Sequence, residues 1–404
     1  MQPHDHPLRV VITALHYYPD RPSGSSRLAF DEAVYLAGRG HEVWMVAMDP
    51  TGRQPEYAFR EGLHVLQYPA PNHSLFDPRR VQAHQQHVRH LLKKHASGPV
   101  DALHGHALLA YDGARALYDA TTHRAYFIHS PMRLEMEAAA RGAGPAQRLK
   151  LATTAHLTHN VEAQCLQASD RITAASQYTR TLIEQYHNPQ MAARVQIIPG
   201  WVDVSRFQIQ PDRDALKARF GWPQDVPLLF TLRRLVPRNG LDVLLRGLNQ
   251  LRQRGHTFHM VIGGGGPLLD SLQEQAQALG IAEQVRFIGH VADDDLPLMY
   301  AAADAFVLPT SALECFGLIM LEALACGHPV LATPVGAIPE ILNQVEPAWL
   351  SRDASPGAIA DLLTDFLRGQ LPQHEPQALR RFVETHYASE LIVPQLVRYA
   401  LDID

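Results

Sequence analysis

Cysteine is nearly absent from this chain. Cys165, Cys315 and Cys326 lie far apart, with no Cys-x-x-Cys pair. That excludes a disulfide framework and a cysteine zinc site, and it fits a reducing cytoplasm. Lysine is scarce as well, Lys217 being the only one in the C-terminal half. No apolar run reaches the ~18 residues that cross a bilayer. Charge of one sign is not in excess: the formal net charge of -5 creates no global field for nucleic acid or an anionic membrane. Repeats and low-complexity tracts are missing. The opening MQPHDHPLRVVITALHYYP has no basic stretch, and its short apolar run stops at a proline, so it reads as a strand and not as a signal peptide.

What is present builds cores. With 404 residues, 46% hydrophobic and 19% charged, the chain is expected to form two or three globular domains. Short apolar runs alternate with helical stretches. RVVITAL, HEVWMVAM, VDALHGH, RAYFIHS, RITAAS and VQIIPG read as strands, with helices between them, including one near 108–121 and a long one near 145–169. The series then restarts with PLLFTLRRL, FHMVIGGGG, QVRFIGHV, DAFVLP and HPVLAT. Such βα series imply parallel sheets covered on both faces. The expected fold class is therefore α/β, with two doubly wound domains over residues 1–200 and 201–375. The turn-rich GWVDVSRFQIQPDRD would link them, and a helical tail would occupy 376–404. Ligands of such sheets bind beyond the carboxyl ends of the strands, so a cleft between two facing domains is expected.

The stretch ECFGLIMLE, from Glu314 to Glu322, brackets an apolar run with two acids. Leu318, Ile319, Leu321, Leu324 and Ala325 cover a helix expected to start about Phe316–Gly317 and to stop at Gly327. Two carboxylates eight residues apart on a helix are ~12 Å apart. A retaining glycosidase needs roughly 5–5.5 Å. The spacing suits instead the two hydroxyl-bearing ends of one long ligand. Between them, the N–H groups of Phe316, Gly317 and Leu318 would form an anion site at a helix start. Taken alone, the spacing favours the plainer reading of a dipole-favoured acid near a helix start and a second, incidental acid.

The stretch from Leu308 to Leu342 resembles the E-x7-E segment of family-4 retaining glycosyltransferases of group 1, which have the GT-B fold. HYYPDRPSGSS, LAGRGHEV, DALHGH, FIHSP, VQIIPGWVDVSRF, FTLRRLVPRNGLDVLL, VIGGGGP, FIGHV and LPLMYAAADAFVLP match the same family in the same order. The resemblance covers nearly the whole chain. It implies an acceptor-binding domain over 1–200, a nucleotide-sugar-binding domain over 201–375, and C-terminal helices over 376–404 that cross back to the N-terminal domain. It makes Glu314 the contact to the donor sugar, the 316–318 backbone a contact to sugar and diphosphate, and Glu322 the ribose holder. Arg234 falls where the family binds diphosphate. Asn239 stands where the family usually has a lysine, and Arg238 or Arg233 is left to replace it. Gly24 and Ser25 would approach a phosphate or sugar, with Ser25 in place of a second glycine. Gly264, His290 and Val291 would lie near the nucleobase, and His129 near the sugar. His106 and Tyr18 would line the acceptor pocket, which His16, Tyr17 and His104 could share. Trp201 departs from the commoner form of its motif, with packing at the hinge and donor contact both open.

The resemblance implies sugar transfer from a nucleoside diphosphate, with retained configuration and neither metal nor cofactor. Asp293-Asp294-Asp295 reads as the N-cap and first turn of the next helix. His104 and His106, two apart on a strand, could chelate a metal, but the sequence offers no third ligand. A non-catalytic sugar-nucleotide-binding protein is the alternative, since Asn239 replaces the lysine. A pyridoxal-type phosphorylase would need a lysine for its cofactor, and the C-terminal half offers only Lys217. Expected partners are a nucleotide sugar and an acceptor glycan, lipid or small molecule, without nucleic acid. The expected place is the cytoplasm, with at most peripheral membrane contact. A lipid acceptor would want an apolar, basic face near Arg133–Lys150, but that stretch also carries Glu135 and Glu137 and reads as solvated helix.

Overall fold

The computed structural model describes residues 6–71, 79–139 and 145–402. Arg141 and the side chains of Arg148 and Lys150 lie outside the described residues. The chain divides into two compact units, Met1–Gly200 with Glu390–Asp404, and Trp201–Ser389.

Among the described residues, eight strands form the sheet of the first unit: β1 (Arg9–Thr13), β2 (Glu42–Asp49), β3 (Tyr57–Arg60), β4 (Leu63–Pro69), β5 (Ala102–Gly105), β6 (His123–Ile128), β7 (Arg171–Ala174) and β8 (Val195–Ile197). Their order is β3-β4-β2-β1-β5-β6-β7-β8, and only the β3–β4 pair is antiparallel. Buried runs such as Val10-Val11-Ile12 are apolar without alternation because helices cover both sheet faces. The second unit repeats the plan with β9 (Leu228–Leu232), β10 (His259–Gly263), β11 (Val285–Gly289), β12 (Ala305–Leu308) and β13 (Val330–Ala332). The order is β11-β10-β9-β12-β13, all parallel. In each unit the strand order reverses beside the first strand, between β1 and β5 and between β9 and β12. Chains leaving those strands diverge there and open a crevice at the carboxyl edge.

Some local readings differ. The β3–β4 hairpin was not anticipated from the sequence; it turns tightly at Glu61-Gly62, both with positive φ. The helix expected over 108–121 is Leu108–Arg115. Beyond it, Asp119 accepts from the N–H (2.8 Å) and hydroxyl (2.5 Å) of Thr121, a local turn that competes with helix. The segment 200–214 is not a loose linker. Val202 bridges to Ala388, Trp201 and Phe207 are buried, and Arg380 donates to Phe207 O (2.7 Å) and Val204 O (2.8 Å). The tail is also split. The helix Pro376–His386 stays with the second unit, while Ser389–Leu401 reaches the first. There His123 Nε2 donates to Ala400 O at 2.8 Å, and Arg171 lies 5.5 Å from the Tyr399 ring centroid. Among the described residues no helix is long and apolar enough to cross a membrane.

Burial leaves a pH signature. It pushes His84 and His328 down to about 4, and it lowers His16 and His259. In the unfolded chain each binds a proton near pH ~6.5. Between there and ~4 the unfolded state therefore holds more protons, and stability rises with pH across that window. The melting temperature is expected to fall steadily as pH drops from 6.5 to 4.5; a flat profile by calorimetry would contradict this origin.

Candidate functional site

Each switch point carries a cluster of polar side chains, and each cluster is described within its own unit. In the second unit the residues just after β9 and just after β12 meet. Arg233 follows β9, and its backbone N–H donates to Gly263 O at 3.0 Å. Its buried side chain donates through Nη2 to Glu314 Oε2 and to Asn239 Oδ1, both at 2.8 Å. Thr310 Oγ1 adds a bond to the same Glu314 oxygen at 3.1 Å. Asn239 is buried, and its Nδ2 donates to Arg234 O at 2.6 Å, which fixes the amide with Oδ1 toward Arg233.

The Glu314 loop is pinned from three sides. Leu313 has φ 59°, an unusual value for a leucine, and its carbonyl accepts from Arg238 Nη1 at 2.6 Å. Ser311 and Ala312 donate to Arg238 O. On the other flank, Ala337 N–H donates to Glu314 O at 2.8 Å. Gly336 makes that approach possible. Its φ is +64°, and a Cβ there would fall 2.2 Å from Glu314 O. Backbone strain held by such surroundings is a mark of functional loops.

The helix after Glu314 runs Leu318–Ala325, one or two residues later than the apolar pattern predicts. Gly317 is its N-cap, with φ 88°. Among the described residues no hydrogen bond takes up the N–H groups of Phe316, Gly317 or Leu318. Glu322, inside the helix, accepts from Tyr300 OH at 2.7 Å. Burial, then the Glu322 carboxylate, push that phenol well above its ordinary range. Arg234 points outward and is exposed. Gly264 lies against the Arg233 backbone, where a Cβ would fall 2.0 Å from Arg233 O. His290 is exposed just after β11, and Val291 is buried beside it. Asp295 is the N-cap of the helix Leu296–Ala302, but its carboxylate pairs with Arg219 at 2.8 Å instead of capping.

In the first unit, parallel β5 and β6 end side by side. His106 and His129, each one residue past its strand, therefore meet, with 3.1 Å between His106 Nδ1 and His129 Nε2. The absence of a third ligand is corrected here. Glu32, from the helix Gly24–Gly38, sits between His104 Nδ1 and His106 Nε2 at 2.7 Å from each. These three buried residues offer ligand atoms within 4.8 Å of one another. The 2.7 Å separations are hydrogen-bond lengths, so the carboxylate accepts an N–H on each side. Burial alone would raise the Glu32 carboxyl, but the imidazoles outweigh it and hold it down at about 2. His106 and His129 are lowered, chiefly by burial. With His106 neutral and its Nε2–H given to Glu32, its Nδ1 accepts from His129 Nε2–H. The outer nitrogen of His129, Nδ1, then carries a lone pair. Glu32 had a sequence signal: it shares the apolar stripe of Leu28, Ala29, Ala33 and Leu36.

The β1 loop borders this cluster. Ser23 is the N-cap of the helix Gly24–Gly38 and accepts from Ser26 N–H at 3.4 Å, so Gly24 and Ser25 form its first turn. Ser26 Oγ in turn accepts from His16 N–H at 3.3 Å. Tyr18 is largely buried, and its hydroxyl accepts from Arg27 at 3.0 Å. Tyr17 is fully buried and donates to Glu61, and His16 Nδ1 donates to Met48 O at 3.1 Å. All three side chains are thus anchored by packing and hydrogen bonds within the first unit.

Two family models match in chain order: Glycosyltransferase Family 4 over residues 22–206 and Glycosyl transferases group 1 over residues 212–385. A GDP-mannose-dependent alpha-(1-6)-phosphatidylinositol monomannoside mannosyltransferase of Mycolicibacterium smegmatis is 37% identical over 208 residues, 49% of this chain and 54% of that protein. The match thus spans about half the length of that relative. A D-inositol 3-phosphate glycosyltransferase of Streptomyces avermitilis is 30% identical over 300 residues, 72% of this chain and 62% of that protein. Among solved structures, a sucrose-phosphate synthase of Thermosynechococcus elongatus superposes with a TM-score of 0.79 at 18% identity, covering 96% of this chain and 97% of that one. With the two models together spanning most of the chain, from residue 22 to residue 385, it belongs to the group 1, family-4 glycosyltransferases and has the GT-B fold.

Proposed function

We propose that this protein transfers a hexose-type sugar from a nucleoside-diphosphate sugar to an acceptor, with retained anomeric configuration and without a metal. The observation that carries this is the Glu314 carboxylate, clamped at the switch point of the second unit beside the open N–H groups of residues 316–318. Glu314 would hold sugar hydroxyls, those N–H groups and Arg234 the diphosphate, and Glu322 the ribose. Cationic and main-chain donors of this kind stabilise a leaving diphosphate without a metal. The acceptor hydroxyl would attack the anomeric carbon on the face the diphosphate leaves, and a departing phosphate oxygen would take its proton. Binding energy and orientation, with no protein nucleophile, then supply the rate.

The first unit would hold the acceptor, with His129 and His106 at its end of the path. The relatives named above, with GDP-mannose and inositol-bearing compounds in their names, make GDP-mannose the first donor to test. Three free cysteines support a reducing cytoplasm as the working compartment. A thermal-shift panel of sugar nucleotides should reveal one donor that raises the melting temperature. Nucleoside diphosphate should then be released only when an acceptor is supplied, and equally in EDTA. Binding without release, across a broad acceptor set, would favour a non-catalytic binding protein; dependence on a divalent ion would overturn the metal-free route.

A further inference from the structure

Arg233 and Asn239 form a unit that the proposed function does not by itself require. A guanidinium has five N–H donors. Nη2 of Arg233 uses both of its hydrogens, one on Asn239 Oδ1 and one on Glu314 Oε2. Nε and Nη1 have no partner among the described residues, and neither counts among the buried polar atoms that lack one. Both therefore reach solvent. Glu314 Oε1 is in the same position. The arrangement presents three cationic N–H groups and a carboxylate oxygen side by side, on a side chain that is itself largely buried.

Asn239 explains why the arginine stays there. Its amide is oriented by Arg234 O, so a fixed oxygen faces the guanidinium. An ammonium at position 239 would set two cations against each other and remove that acceptor. The backbone of Arg233 is fixed too, by its bond to Gly263 O and by the close passage of Gly264. A mobile surface arginine would lose rotamer entropy on meeting an anion; this one has already lost it.

We infer that Arg233 is a cation for the diphosphate group of a nucleoside diphosphate in this crevice, with Asn239 as its fixture and Glu314 as its partner. The inference rests on the proposed function for the identity of the ligand. Nε and Nη1 would donate to phosphate oxygens, while Nη2 keeps Glu314 turned toward the sugar. Arg238 is not the substitute, because its Nη1 is committed to Leu313 O and its role is to hold the strained loop.

The experiment is titration calorimetry of GDP and UDP, and of guanosine and uridine as controls, against wild type and four variants. Arg233→Met should weaken diphosphate binding about 10- to 100-fold and leave nucleoside binding within about twofold. Arg233→Lys should recover part of the loss. Asn239→Lys alone should weaken the diphosphate, and the double variant Arg233→Met with Asn239→Lys should bind it better than either single variant. Circular dichroism establishes that each variant is folded. Equal diphosphate binding by wild type and Arg233→Met would overturn the inference and leave the proposed function standing. Equal loss for nucleosides and diphosphates, or a double variant no better than the worse single one, would likewise overturn it. A wild type that binds no nucleoside diphosphate would overturn both.

Discussion

Glu314→Gln is expected to lower kcat/KM by about 10²- to 10³-fold, the usual cost of one misplaced group in a prearranged site. The amide has the right shape but presents an N–H₂ where a carboxylate oxygen accepted. If that group faces Arg233, donor meets donor. If it faces outward, the sugar hydroxyls proposed to bind there meet a donor in place of an acceptor. Either way the pair that now holds Arg233 loses its charge. Glu314→Ala is expected to lose at least as much, since it also frees the guanidinium to move. Neither change should unfold the protein, because the loop backbone is held by Arg238, Ala337 and Ser311 and not by the Glu314 side chain. Steady-state kinetics beside a melting curve checks both halves. Turnover within threefold of wild type would remove Glu314 from the chemistry.

Glu32→Ala is expected to destabilise the first unit by about 3–5 kcal/mol, with a melting shift near 10 °C. Two buried imidazole N–H groups would lose their acceptor at ~1–3 kcal/mol each, and the missing side chain leaves a void. Glu32→Gln should lose clearly less. Its oxygen can accept from one histidine, and its N–H₂ can donate to the other if His104 moves its proton to Nε2. That nitrogen is buried and has no partner, so its new N–H stays unpaired and part of the loss remains. Differential scanning calorimetry with and without EDTA separates this origin from a bound cation. A chelator that reproduces the alanine variant's shift would show that an ion, and not two protons, holds the cluster together.

The fold could be read from the chain because parallel strands buried on both faces leave continuous apolar runs, as in RVVIT and HMVIG, that alternate with capped helices. The β3–β4 hairpin leaves little trace in the sequence because its outer strand, YAFR, is short and alternates exposed with half-buried residues. Local signals place Glu314, Gly317 and Glu322, which share one loop and one helix. They do not rank Arg233, Arg234 and Arg238. Which arginine turns inward depends on Asn239 and Glu314, six and 81 positions away. The Glu32 cluster is harder still, since it joins a helix to strand ends 72 and 74 residues later. Only an acid misplaced on an apolar stripe hints at it.

The helix Ser389–Leu401 packs its apolar face on a unit whose other residues precede position 201. During synthesis the ribosome must therefore finish the whole of the second unit before this helix can join the first. Leu396, Val397 and Ala400 are buried in the finished molecule, and the surface they cover stays bare until then. A nascent first unit is thus a natural client for chaperones. Separate expression of residues 1–200 should yield aggregation-prone material, whereas supplying the last helix in trans or by fusion should rescue it.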